Sequence, residues 1–266
     1  MDLNPNLVVL GAQKSGTTTL TGILDQHPQV FMSKPVTEPA WYYPDEAMLN
    51  YIRKYRRTKR VASRSELLKR HMLQDYAGEK YVGEASTGYT YYENSKKLNI
   101  PNRMLKWCPN IRLIYIVRNP FERILSFYRH MLRRKSDLNF SDFAAGPGFA
   151  HAITTSCYFQ QLSPYIKIFG RDKVLVLSFE QMCAEPLLTA SQSFEFLELS
   201  CLHEVSSVHL NAGATPKERR SELKFTAATF SDAFTRLVAD AKQFGELTGF
   251  DLTGWDLTAD TWVSEA

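Results

Sequence analysis

The sequence predicts an α/β fold in which a central parallel sheet is flanked by helices on both faces, three layers in all. Two observations carry this expectation. Strand-like apolar runs alternate with stretches of helical spacing along the chain, the pattern of a parallel sheet with crossover helices. The run IRLIYIV at 111–117 is apolar almost without interruption, as a parallel strand covered on both faces should be. The chain has 266 residues, 44% of them apolar and 23% charged. That is enough for one domain with a well-buried core, and residues 1–266 read as a single domain.

The first strand is expected at 6–11 and the first helix at 17–26. A short strand at 29–32 leads to the segment TEPAWYY at 37–43, and residues 45–75 are mostly helical and strongly charged. YVGEAS (81–86) reads as a strand and 95–107 as a helix. After the strand at 111–117 comes a helix over 120–134, which Pro120 opens from a favoured first-turn position. Residues 137–149 form a loop around GPG. A helix over 150–169 precedes the strand KVLVLSF (173–179), and helices at 186–197 and 226–247 close the domain.

Composition narrows the function. The net charge of +4, from 32 basic and 28 acidic residues, is too mild to argue for nucleic acid but suits an anionic ligand. Basic residues cluster in 53–70, 133–135 and 217–220, mostly as solvated helix faces. The four cysteines, Cys108, Cys157, Cys183 and Cys201, are widely spaced with no CxxC, so no structural metal is expected. The start MDLNPNLVVL has no basic stretch followed by a long apolar one, and no apolar run reaches the length of a membrane span. A cytoplasmic protein is expected; a catalytic domain cut from a membrane-anchored enzyme would read the same way.

The chemistry is concentrated in LVVLGAQKSGTTTL at 7–20. A strand, a tight loop and a helix start follow one another there, which points backbone N–H groups at one spot and makes a cradle for a phosphate-like group. The loop is P-loop-like without being a Walker A motif. In Walker A a lysine follows the second glycine, whereas here Thr17 follows Gly16 and Lys14 lies inside the loop. A second anion site is legible at the end of IRLIYIV, which runs straight into Arg118-Asn119-Pro120, with Ser126 about two helical turns further on. A guanidinium and a hydroxyl make a good phosphate receptor; a structural salt bridge at Arg118 is the competing reading. Lys14, Glu84 and Arg118 each fall just after an expected strand, where ligands bind in open parallel sheets.

GAQKSGTTTL, followed about a hundred residues later by LIYIVRNPFERILSFYRH, resembles the two cofactor-binding signatures of the sulfotransferase superfamily. These enzymes use 3′-phosphoadenosine 5′-phosphosulfate (PAPS). The resemblance is nearest to the branch of carbohydrate and glycosaminoglycan sulfotransferases with its bacterial relatives. HPQV (27–30), TEPAWYY (37–43), GEAS (83–86), VLVLSFEQM (174–182) and the tail HLNA…GFDLTGW (209–255) fit it in order. It implies that Gln13, Lys14, Ser15, Gly16, Thr17 and Thr18 bind the 5′-phosphosulfate, with Lys14 near the bridging oxygen, and that Arg118 and Ser126 hold the 3′-phosphate. It implies no metal. Glu38 matches the family's catalytic base and would accept the acceptor hydroxyl's proton. The resemblance also implies that Tyr158 lines the nucleotide site and that Lys217, Arg219 or Arg220, in a loop that closes over the nucleotide in relatives, touches the 3′-phosphate; a solvated charge run is the competing reading of 217–220. Trp41, Tyr42 and Glu84 are expected on the acceptor side, Glu84 with a backup claim to the base role. For Trp41, Tyr42 and Tyr43, packing beneath the loop is an equal alternative to stacking on the acceptor.

Several positions depart from the family pattern. Thr37 replaces the basic residue before the base, Ala40 a histidine, Ala85 a lysine and Ser156 a glycine. The Ala40 and Ala85 departures point away from a heparan-like acceptor. The expected function is sulfuryl transfer from PAPS to a hydroxyl or amine of a glycan or small molecule, leaving the desulfo product PAP (3′-phosphoadenosine 5′-phosphate). The competing readings are a P-loop nucleotide kinase or NTPase, and a nucleotide-binding module without catalysis. Thr17 at the Walker lysine position and an arginine after IRLIYIV stand against the first; intact Lys14 and Glu38 stand against the second.

Overall fold

The computed structural model describes residues 3–55, 61–206 and 225–264. The chain opens with β1 (Leu7–Gly11) and α1 (Thr17–Leu24), then β2 (Val30–Met32) and α2 (Asp45–Tyr55). α3 (Arg64–Leu67) widens into a π turn over Leu68–Met72. β3 (Tyr81–Glu84), α4 (Tyr92–Leu98), α5 (Ile100–Trp107) and β4 (Arg112–Val117) follow. Four helices come next: α6 (Pro120–Leu132), α7 (Phe140–Ala145), α8 (Pro147–Thr154) and α9 (Tyr158–Phe169). β5 (Val174–Ser178), α10 (Phe179–Ala184) and α11 (Pro186–Phe196) lead to β6 (Phe225–Thr226), α12 (Ala227–Thr248), α13 (Ala259–Trp262) and β7 (Val263–Ser264).

The fold class is as expected. Five strands form one parallel sheet in the order β2-β3-β1-β4-β5, and helices flank it. All five residues of β1 are buried, because the strand is central and covered on both faces. Side chains alternate across the sheet, so Leu7 and Val9 join Ile114 and Ile116 in one core with Leu20, Ile23, Met182 and Phe194 of α1, α10 and α11. β1 pairs with β4 as Leu7↔Arg112 and Val9↔Ile114, and the register shifts between Val9 and Gly11.

The chain forms two compact units. The first, Met1–Val117 with Pro164–His209, contains the five-stranded sheet. Among the described residues, the regular structure of the second, Arg118–Ser163 with Leu210–Ala266, is helical apart from the short parallel pair β6–β7. Its own core includes Phe121, Phe143, Phe149, Phe230, Leu237 and Trp262. There Asp240 of α12 accepts the N–H groups of Phe159 and Gln160 at 3.0 and 3.1 Å, satisfying the first turn of α9. Among the described residues, no helix is long and apolar enough to cross a membrane.

Three expected elements come out differently, and a short helix is added. The helix at 95–107 is two helices, because Asn99 takes a left-handed conformation (φ 52°) and Pro101 starts the second. The loop at 137–149 carries two helix starts. Asn139 caps α7 by accepting the Asp142 N–H at 2.8 Å, and Pro147 opens α8. The helix at 150–169 breaks after Thr154, where the buried Arg123 holds Ser156 through an Nε–Oγ bond of 2.6 Å. The short helix α10 was not expected; Ser178 caps it by accepting the Gln181 N–H.

Candidate active site

The loop after β1 is fixed by its backbone. The Ala12 N–H donates to Ile116 O of β4 at 2.7 Å, and the Ser15 N–H closes a turn on Ala12 O at 3.1 Å. Lys14 sits at φ 70°, a left-handed conformation that a side chain with a Cβ occupies at a cost. Gly16, at φ 84°, is the N-cap of α1 and supplies no capping side chain, so the first N–H groups of α1 point into the loop without an intrahelical partner. A Cβ on Gly16 would lie 2.6 Å from Met182 Cε and 2.7 Å from Phe179 Cδ2, so α10 closes against this glycine. Ser15 Oγ is buried and has no hydrogen-bond partner among the described residues. A strained lysine, a helix start without a side-chain cap and an unsatisfied buried hydroxyl in six residues suit a bound oxyanion.

Glu38 stands half-buried on a segment whose backbone is held from both sides. Ala85 N–H donates to Thr37 O at 3.2 Å, Ser86 Oγ accepts the Ala40 N–H at 2.8 Å, and Tyr89 Oη accepts the Tyr42 N–H at 3.0 Å. Tyr51 Oη of α2 donates to Glu38 Oε2 at 3.0 Å.

Trp41, Tyr42 and Tyr43 are only 4%, 0% and 7% exposed. Tyr42 Oη donates to Pro5 O and Trp41 Nε1 to Asn4 Oδ1. The Arg64 guanidinium lies over both Trp41 and Trp107 and donates to the carbonyls of Trp41 and Tyr43. Arg103 donates from Nε to Tyr42 O at 2.8 Å. In this structure the aromatic run packs beneath the segment.

Glu84, at the end of β3, is fully buried. Its Oε2 accepts the Ser86 N–H at 2.9 Å and the Ser86 hydroxyl at 2.5 Å, and its Oε1 accepts the Tyr89 hydroxyl. Burial pushes this carboxyl up to about 7 against the pull of the three donors, and the nearby charge of Glu38 adds to the rise.

The second motif lies in the helical unit. Arg118, the first residue after β4, is 8% exposed; its Nη2 pairs with Glu122 Oε2 at 3.2 Å, and its carbonyl accepts the Tyr158 hydroxyl at 2.6 Å. The salt bridge weighed as the alternative at Arg118 is therefore present. Asn119 caps α6, accepting the N–H groups of Phe121 and Glu122. Ser126 is half-buried, one turn beyond Glu122 on the same side of α6. Tyr158 is fully buried, its ring against Phe244 and Trp255. Lys217, Arg219 and Arg220 lie outside the described residues. Among the described residues no group of three or more His, Cys, Asp or Glu is arranged to hold a metal ion.

Sequence reasoning passed over Tyr51, Ser86 and Tyr89. The only signal for the last two was their closeness to Glu84 in sequence; Tyr51 carried none.

The sequence pattern of the family described as "Sulfotransferase domain" matches residues 4–226. Over 219 residues the chain is 26% identical to the mouse (Mus musculus) heparan sulfate glucosamine 3-O-sulfotransferase 5, covering 78% of this chain and 57% of that protein. It is 29% identical over 134 residues to the membrane-associated sulfotransferase kil1 of Dictyostelium discoideum, covering 48% of this chain and 23% of that protein. The chain thus spans little more than half the length of the first of these relatives. Among solved structures, a sulfotransferase from Alicyclobacillus acidocaldarius superposes with a TM-score of 0.69 at 25% identity, covering 95% of this chain and 99% of that one. The sulfotransferase domain of the Synechococcus PCC 7002 olefin synthase shares the fold, with a TM-score of 0.56 at 16% identity over 90% of this chain and 94% of that one.

Proposed function

The chain belongs to the sulfotransferase domain family, and from that premise we propose that it moves the sulfuryl group of PAPS to a hydroxyl or amine of a glycan or small-molecule acceptor. The observation that carries this reading is the loop at 13–18, where the unsatisfied Ser15 hydroxyl and the left-handed Lys14 precede the uncapped start of α1. The matched pattern spans residues 4–226 without a break, and the reading treats 1–266 as one functional domain.

In this reading Gln13, Lys14, Ser15, Gly16, Thr17 and Thr18 hold the 5′-phosphosulfate, Arg118 and Ser126 hold the 3′-phosphate, Tyr158 fixes the Arg118 backbone through its carbonyl, and Lys217, Arg219 and Arg220 add positive charge. PAPS supplies the sulfuryl group and departs as PAP. The Lys14 ammonium stabilises charge that builds on the departing phosphate oxygen, so it favours the transition state over the ground state. Glu38 takes the proton from the acceptor hydroxyl as its oxygen bonds to sulfur, while the bridging S–O bond breaks with its electron pair on phosphate. Glu84, Trp41 and Tyr42 serve the acceptor side by holding the Glu38 segment in place, in keeping with their burial. This step uses no metal.

The likeness to a glucosamine 3-O-sulfotransferase puts amino-sugar hydroxyls first among acceptors to try. Ala40 and Ala85, at positions where the resemblance leads one to expect histidine and lysine, favour a less sulfated acceptor or a small molecule. The test is transfer of labelled sulfate from PAPS to glucosamine oligosaccharides and to simple phenols and alcohols. Labelled product with stoichiometric PAP supports the proposal; magnesium-dependent turnover of ATP with no sulfate transfer would return the kinase reading.

A further inference from the structure

The geometry points to Tyr51 as a positioning residue that sets the carboxylate of Glu38, an inference that rests on Glu38 being the base. The hydrogen bonds from Ala85 and to Ser86 fix the backbone around Glu38. They leave its side-chain torsions to be set by other contacts, and a glutamate loses considerable rotamer freedom when ordered. Tyr51 Oη donates to Glu38 Oε2 at 3.0 Å. A bond to an ionised acceptor is stronger than a neutral one, so it can hold the carboxylate in one orientation.

The donor is itself held. The Tyr51 ring meets Tyr43 edge-on at 5.9 Å, and Tyr43 meets Tyr89 edge-on at 5.7 Å. A Cβ on Gly88 would come 2.6 Å from Tyr43 Oη, so the glycine makes room for that middle ring. Tyr89 in turn donates to Glu84 Oε1. A row of three tyrosines thus links the buried Glu84 to Glu38. Its end nearer Glu84 braces the backbone of the segment through the Tyr42 N–H, and its other end holds the Glu38 side chain. A base must be placed within a fraction of an ångström of the proton it takes, and Tyr51 supplies that placement.

Tyr51→Phe keeps the ring contact with Tyr43 and removes only the hydroxyl. With labelled PAPS and, in parallel, a glucosamine oligosaccharide and 4-nitrophenol as acceptors, kcat should fall about tenfold, the worth of one hydrogen bond to a charged group. KM for PAPS and the affinity for PAP should stay unchanged. In a Glu38→Gln background the same substitution should cost nothing further. An equal loss in both backgrounds, or a rise in KM alone, would overturn the positioning role while leaving Glu38 as the base. Full activity of Glu38→Gln would overturn the base assignment and this inference with it. A crystal structure of Tyr51→Phe needs no acceptor: Glu38 spread over several rotamers supports the role, and a single unchanged rotamer contradicts it.

Discussion

Glu84 and Ala40 are joined through a single hydroxyl. The Ser86 Oγ donates to Glu84 Oε2 at 2.5 Å and accepts the Ala40 N–H at 2.8 Å. A buried carboxylate thereby holds the backbone two residues beyond Glu38, and the tyrosine row repeats the arrangement at Tyr42. The site's rigidity on this side comes from β3 and the turn after it, not from the segment's own sequence.

Glu84 should make stability depend on pH. Its carboxyl is raised from 4.5 to about 7, so between those values the folded chain keeps a proton that the unfolded chain has released. Its stabilisation is full below about pH 4.5 and is lost as pH rises to about 7, amounting to roughly 3 kcal/mol. Asp240, raised from 3.8 to about 6, gives a loss of the same sign in a lower window. Urea unfolding at pH 6 to 7 should therefore show a decline in wild type that Glu84→Gln abolishes; an unchanged decline would place the titration elsewhere.

Lys14 should show a trade between stability and activity. Its φ of 70° suits glycine better than any residue with a Cβ. Lys14→Gly should raise stability by about 1 kcal/mol, or leave it unchanged, while lowering turnover at least about a hundredfold. A thermal melt beside a sulfate-transfer assay tests both halves, and retained turnover would remove Lys14 from the mechanism.

Gly16→Ala should fail for two reasons at once: the left-handed backbone, and a methyl placed 2.6 Å from Met182 Cε. A loss of about 2 kcal/mol or more in stability is expected. Pairing it with Met182→Ala should recover part of that loss, as read by denaturant midpoints; no recovery would show that the backbone term dominates.

The binding role proposed for Arg118 can be separated from its structural one, the pair with Glu122. Arg118→Ala takes the guanidinium away from the buried Glu122, a change expected to cost about 3 kcal/mol. Adding Glu122→Gln should restore much of the stability. It should not restore PAP affinity, while affinity for adenosine 5′-phosphate should be near wild type in both variants. Equal weakening for the two nucleotides would refute a role at the 3′-phosphate.

Much of the fold was legible because buried parallel strands are written as apolar runs, long and unbroken in LVVL (7–10), LIYIV (113–117) and VLVL (174–177) and only short in VFM (30–32) and YV (81–82). The Lys14 loop was legible because its chemistry is local in sequence. The helix breaks at Asn99 and Ser156 were not, since each depends on one residue's conformation or on a distant partner such as Arg123. The run Trp41–Tyr43 reads the same whether it faces a ligand or the core, and its burial, its bonds to Asn4 and Pro5 and the arginines above it, Arg64 and Arg103, reveal which. Those arginines lie in segments that read simply as helical, Arg64 within a basic cluster taken as a solvated face. Tyr51 meets Glu38 through tertiary packing, a relation that no spacing encodes.

The central claim, that the two anion motifs bind a 3′-phosphorylated adenosine nucleotide, is tested most directly by calorimetric titration with PAP beside ATP and adenosine 5′-phosphate. Tight binding of PAP that falls sharply without the 3′-phosphate is the predicted result. Equal or tighter binding of ATP, or no binding of PAP, would contradict it.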